Sequence, residues 1–153
     1  KRMCRDYDSV SICLSKGLGA PVGSVLVGSQ EFIDKAHRWR KMFGGGWRQA
    51  GVLAAAGLHA LDHHIERMAE DHVRALSVAE SINAMDKFSV DISTVQTNMV
   101  YVNCNMPANE LAAGLAEHGI DLFDLSEDAV RIVIHLHITD EDVERIIAAF
   151  AAQ

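Results

Sequence analysis

From Gln49 to about Asp86 the chain carries one helical pattern, and no other stretch is as long. Residues 52–61, VLAAAGLHAL, are apolar nearly all round, which predicts deep burial. Beyond Asp62 the pattern turns amphipathic, with Leu61, Ile65, Met68, His72 or Val73, Leu76 and Ala79 recurring at steps of three and four residues. A helix of that length bridges two structural units, and the sequence changes character on its two sides.

Ahead of it, Val10–Leu14 reads as a short buried strand. Gly17-Leu18-Gly19-Ala20-Pro21 then forms a turn-rich loop, and Val22–Val27 a second β-type run closed by Gly28-Ser29. Glu31–Met42 is helical and ends at the breaker Gly44-Gly45-Gly46. Behind the long helix, Thr97–Cys104 reads as a strand, Asn109–His118 as a helix with Gly119 as its C-cap, and Ile120–Leu125 and Val130–Ile138 as two strands. Thr139 is a good N-cap, with Asp142 three residues on, for a last helix reaching Phe150. The second part is thus a small βαββα unit.

Composition narrows the function. Hydrophobic residues make up 49% and charged residues 23%, so the chain can bury a core. The formal net charge of -7 argues against binding nucleic acid or an anionic membrane, since both require clustered excess cations. No run approaches the length of an uncharged membrane helix, and Lys1–Tyr7 is polar with both charge signs, unlike a secretory signal. Cys4, Cys13 and Cys104 are odd in number and lack a C-x-x-C spacing. That pattern points to reduced, buried thiols in a cytosolic protein. The chain opens on Lys1 rather than Met and meets an apolar run almost at once, which suggests the later part of a longer protein.

The sharpest chemical feature is Ser15-Lys16-Gly17 at the end of the first strand. Strand ends facing a loop are where α/β folds place their sites. A lysine partly withdrawn from water there offers a neutral amine that attacks carbonyls. An ordinary surface lysine in a turn has the same local signature. His135 and His137 stand two apart on the run predicted as a strand, on the face that carries Arg131, as an HxH pair that could bind a metal. No third ligand stands at a convincing spacing, so no metal is expected. His63 and His64 fall on the polar part of the long helix and read as solvated.

Three runs decide between these readings: DSVSICLSKGLGAPVGSVLVGS at residues 8–29, RWRKMFGGGWRQAGVLAAAG at 38–57 and VRIVIHLHIT at 130–139. In this order they resemble the L-threonine aldolases of the low-specificity and allo-selective type, pyridoxal 5'-phosphate enzymes of fold type I. The resemblance implies an α/β chain: the last strands and helices of the large cofactor domain with its connecting helix at residues 1–90, and the small domain at 91–153. It implies that Lys16 bonds the cofactor, that Arg48 reaches a cofactor phosphate, often a neighbouring subunit's, and that Arg131 holds the substrate carboxylate. Lys41 matches a lysine turned towards a neighbouring site, although the basic cluster with Arg38 and Arg40 also fits a solvated or subunit-facing surface. Trp47 departs from the family, where methionine is commoner.

The activity implied is cleavage of L-threonine or L-allo-threonine to glycine and an aldehyde, in a cytoplasmic homo-oligomer built as a pair of dimers, with an amino acid as the small-molecule partner. The aromatic residue that stacks on the cofactor, the aspartate that pairs with its ring nitrogen and most of the phosphate loop belong to an N-terminal part of the family that these residues do not match. The chain alone is therefore expected to be inactive. Two readings remain beside this one: another β-eliminating lyase of the same fold, and a non-catalytic module.

Overall fold

The computed structural model describes residues 3–153. They fall into two compact units, one running through Glu66 and the other Arg67–Gln153.

In the first unit, β1 (Ser9–Cys13) and β2 (Ser24–Gly28) pair antiparallel, with Ser9 opposite Gly28 and Cys13 opposite Ser24. The Leu14 N–H donates to the Gly23 carbonyl at 2.9 Å, extending the ladder into the connecting loop. Helix α1 (Gln30–Met42) starts at Ser29, whose side chain accepts from the Phe32 N–H. Its end is a Schellman turn: Gly44 adopts a φ of 88°, its N–H donates to the Lys41 carbonyl, and Gly45 donates to the Arg40 carbonyl. Helix α2 is Gly51–His63.

The second unit starts with α3 (Met68–Asn83) and places β3 (Phe88–Ser89), β4 (Met99–Cys104), β5 (Phe123–Ser126) and β6 (Ala129–Val133) in one antiparallel sheet of order β3-β4-β6-β5. Helices α4 (Ala108–Glu117) and α5 (Asp140–Ala151) complete it. Alternation is clean: Val100 and Val102 of β4 and Val130 and Ile132 of β6 are buried against Val78, Ile82, Leu111, Leu115, Ile146 and Phe150 of the helices. The opposite face stays open, with Tyr101, Arg131 and Phe123 in one row across three strands. Phe88 and Phe150 meet edge to face at 5.2 Å. Thr139 caps α5 as expected, in a capping box with Asp142, and Gly119 ends α4 at a φ of 74°.

Several expectations need correction. The long helix is interrupted after His63 and resumes at Met68. Arg67 there pairs with Asp71, which is 1% exposed, through two hydrogen bonds of 3.2 and 2.5 Å. No Pro or Gly marks the break, so tertiary contacts override a good helical sequence. The second unit accordingly takes in α3, which the sequence pattern grouped with residues 1–90. Deep burial of 52–61 does not hold, because in α2 only Gly57 and Ala60 are buried while Val52 and Leu58 are exposed. Nor is the first strand buried: β1 and β2 stand half-exposed to exposed, because only the hairpin's loop meets apolar cover.

The run Val130–Ile138 leaves the sheet after Val133. Asn98 takes over the edge, its backbone carbonyl accepting from the Ile134 N–H and its side-chain amide donating to the Ile134 carbonyl, and a turn follows in which Ile138 N–H bonds the His135 carbonyl. His135 and His137 therefore stand beyond the strand. Cys104 is buried as expected, but Cys4 and Cys13 are exposed. Among the described residues no helix is long and apolar enough to cross a membrane.

Candidate active site

Lys16 sits in the loop that joins the hairpin strands, at residues 14–23. The Ala20 N–H closes onto the Leu14 carbonyl at 3.0 Å, and the Gly19 N–H onto the carbonyl of Lys16 itself at 2.8 Å, with Gly19 at a φ of 70°. Leu14, Leu18 and Ala20 are buried, whereas the Lys16 side chain is exposed. The desolvated setting suggested by a strand end is thus not supplied by these residues alone. Next to it, Cys13 Sγ lies 3.3 Å from Ser15 Oγ, and that hydroxyl, with the Ser15 backbone, draws the thiol below its ordinary pKa.

Lys41 lies on the last turn of α1 and Arg48 in the turn before α2. The triple glycine folds back over the end of α1. A Cβ on Gly46 would meet Lys41 Cδ at 2.3 Å and Nζ at 2.8 Å, and one on Gly45 would press on Arg40 at 2.8 Å. At Gly45 the Arg40 carbonyl oxygen, 3.0 Å from such a Cβ, leaves little room for a side chain, whereas at Gly46 the Lys41 side chain would have to swing aside. His37, Arg38, Arg40 and Lys41 line an open groove of about 630 Å³ together with Gly46 and Trp47, and its charge suits an anion.

Arg131 lies in the second unit, on β6. Its Nε is buried and has no hydrogen-bond partner among the described residues. It borders a cavity of about 470 Å³ shared with His135, His137, Asp142 and Arg145, a size that fits a small molecule. The two histidine rings stand perpendicular at 5.7 Å, and the His137 N–H reaches His135 Nδ1 at 3.4 Å. No group of three or more metal ligands occurs among the described residues. Within the cavity Arg145 is paired with Asp142 at 3.0 Å, and the Thr139 backbone N–H and hydroxyl hold the Asp142 carboxyl below its ordinary pKa.

The ion pairs sort the cations. Arg5, Lys35, Arg67, Arg74 and Arg145 each face a carboxylate. Among the described residues, Lys16, Lys41, Arg48 and Arg131 form no such pair, nor do Arg38 and Arg40. The four positions marked by the sequence share that lack of a carboxylate with Arg38 and Arg40, and Lys87 meets only the Gln153 backbone oxygen. Lys16, Lys41 and Arg48 belong to the first unit and Arg131 to the second.

Residues 1–105 match the model of the family described as beta-eliminating lyase. The chain belongs to that family. It is 44% identical over 154 residues to the probable low-specificity L-threonine aldolase 2 of Arabidopsis thaliana, covering 98% of this chain and 43% of the relative. It is 41% identical to the low specificity L-threonine aldolase of Escherichia coli K12, covering 99% and 44%. The chain thus spans less than half the length of the curated relatives it matches. Among solved structures it resembles a putative L-allo-threonine aldolase from Listeria monocytogenes, with a TM-score of 0.82 and 22% identity over 99% of this chain and 46% of that one. That likeness establishes the fold, the pyridoxal-phosphate fold type I expected from the sequence. His64, expected to be solvated like His63, is instead half-buried with its Nδ1 2.6 Å from the Leu18 carbonyl oxygen, a bond that leaves no trace in residue spacing.

Proposed function

We propose that the protein is a pyridoxal-phosphate-dependent aldolase that cleaves L-threonine and L-allo-threonine to glycine and acetaldehyde, and that these residues contribute part of its site. One observation carries the reading: the chain is 44% identical, over 98% of its length, to a probable low-specificity L-threonine aldolase, and the aldolase motifs within it carry Lys16, Lys41, Arg48 and Arg131.

The residues present suit the cofactor. Pyridoxal phosphate needs an amine to bond, cations for its phosphate and room for backbone to approach that phosphate. Lys16 offers the amine on a loop fixed by its own hydrogen bonds. Arg48 and Lys41 offer the charge, next to the Gly44-Gly45-Gly46 turn, where the backbone runs close to Arg40 and Lys41. When bound, the cofactor supplies an electron sink for the charge left at Cα once the Cα–Cβ bond breaks.

The other tasks belong to the chain. Lys16 holds the cofactor between turnovers, yields to the substrate amine and returns to release glycine. Arg131 grips the substrate carboxylate with the planar donor fork whose Nε is now unpaired, and so fixes which bond at Cα is set to break. The base that takes the β-hydroxyl proton is not among these four residues. In the whole enzyme residues 1–90 complete the large domain and its connecting helix and 91–153 form the small domain, so α3 belongs by sequence to the first and by packing to the second. The enzyme is read as a cytoplasmic pair of dimers with Arg48 and Lys41 serving shared sites.

The test is reduction of the whole protein with borohydride after adding pyridoxal phosphate, followed by peptide mapping and product assay. The expected result is a cofactor adduct on Lys16 and glycine with acetaldehyde from threonine, both lost in Lys16→Ala. An adduct elsewhere, or none, overturns the reading. 2-Oxobutyrate and ammonia in place of glycine and acetaldehyde would instead select the β-eliminating chemistry after which the family is named.

A further inference from the structure

His64 ends α2 and is half-buried, and its Nδ1 lies 2.6 Å from the Leu18 carbonyl oxygen, 46 residues away in sequence. A carbonyl can only accept, so the ring must carry its proton on Nδ1 and donate. Both ends of this bond belong to the first unit. The His64 backbone N–H meanwhile donates to the Ala60 carbonyl, so the residue is itself anchored on the helix. Leu18 stands two residues from Lys16, inside the loop closed by Ala20 onto Leu14 and pinched by Gly19 onto Lys16. The other contact between this loop and α2 is apolar: a Cβ on Gly57 would lie 3.3 Å from Leu14 Cδ1. Packing of Leu14 limits how far the loop can lift but does not fix its rotation. A directional hydrogen bond to a backbone carbonyl does.

We infer that His64 is a positioning residue for Lys16: through the Leu18 carbonyl it fixes the loop on α2 and thereby sets where the lysine amine stands. The inference rests on Lys16 being the cofactor lysine. Nothing else about His64 competes for the role, since its Nδ1 is committed to the loop and its ring contacts His59 only edge-on, at 5.3 Å.

Three variants of the whole protein test this. His64→Asn puts an amide donor where Nδ1 stood, His64→Gln puts it one bond further out, and His64→Leu removes it. The primary measurement does not depend on turnover: amide hydrogen exchange at Gly19, whose N–H closes the Lys16 turn. Exchange there should rise about tenfold in the Leu and Gln variants and stay near wild type in Asn, with the interior of α2 unchanged in all three. In the loaded enzyme kcat should fall about tenfold in Leu and Gln with KM altered less than twofold, and Asn should restore it, because misplacing a reacting group costs rate rather than substrate binding. Equal behaviour of Asn and Gln, or a loss spread evenly over α2 and the loop, overturns the inference. Wild-type protein that takes no adduct on Lys16 defeats the aldolase reading instead, whatever His64 does. Gln, a polar residue at a half-buried site, keeps the contrast readable if Leu fails to fold.

Discussion

The two units of this chain treat their apolar residues in opposite ways. In Arg67–Gln153 a continuous core runs from Ala75 to Phe150, and the alternating residues of β4 and β6 all find helical cover on one face. In the unit that ends at Glu66 only Leu14, Leu18, Ala20, Gly57 and Ala60 are buried, while Ile12, Val25, Leu26, Val27, Trp39, Phe43, Trp47, Val52 and Leu58 are exposed. An apolar surface of that extent marks an interface. The cations of the proposed site divide the other way: Lys16, Lys41 and Arg48 sit on the poorly covered unit and Arg131 on the other. The contrast in burial can be attacked experimentally.

The largest effect is expected at Phe150, which is 1% exposed. Phe150→Ala should cost about 3–5 kcal/mol in the second unit. Val52→Ala, at a side chain 79% exposed, should change stability by less than about 0.5 kcal/mol. Both tryptophans, Trp39 and Trp47, lie in the first unit, so denaturant unfolding followed by their fluorescence should miss the Phe150 change that circular dichroism detects. Coincident shifts in both signals would mean that the units do not unfold separately.

Next is Arg67→Met. It strands the Asp71 carboxylate, 1% exposed, without its partner and should cost about 3 kcal/mol, again in the dichroism transition alone. The double variant Arg67→Met with Asp71→Leu should recover most of that loss, because the penalty lies in the unpaired charge.

A smaller loss, about 1 kcal/mol, is expected for Thr139→Ala, which removes the α5 cap. It should also depend on pH. The Asp142 carboxyl is held below its ordinary value by the Thr139 N–H and hydroxyl, so its contribution is present above the ordinary carboxylate range and disappears as pH falls through the depressed folded-state value. The gap between Thr139→Ala and wild type should therefore narrow in acid. A gap that widens there would contradict the assignment.

The smallest effect concerns reactivity rather than stability. Cys13 is exposed and its thiol is drawn down by Ser15, whereas burial pushes the Cys104 thiol up. Iodoacetamide at neutral pH should label Cys13 well before Cys104. Ser15→Ala should slow the Cys13 reaction, since the gain in thiolate fraction outweighs the small loss of intrinsic nucleophilicity. Mass spectrometry of quenched time points would read both rates.

The order of elements was legible because it rests on local chemistry. Thr139 as a cap, the Gly44-Gly45-Gly46 breaker and Gly119 as helix ends, and the strand at β4 all carry their own signals, whereas Ser29, read only as the close of the second β run, proves to cap α1. Burial was not legible in the first unit, since periodicity shows which residues are apolar and not what covers them. The break at residues 64–67 had no Pro or Gly to announce it, and the β-branched run after Val130 gave no hint that Asn98 would take over the sheet edge at Ile134. The candidate site residues were marked by motif, and nothing in residue spacing showed that Arg131 Nε would be buried without a partner.

Arg131 shows what such an unpaired donor means for stability. A buried donor with no acceptor costs on the order of 1–3 kcal/mol, so a hydrophobic residue at this position would make the second unit more stable. On the proposed role for Arg131, that cost is stability given up by the second unit in exchange for a grip on a carboxylate.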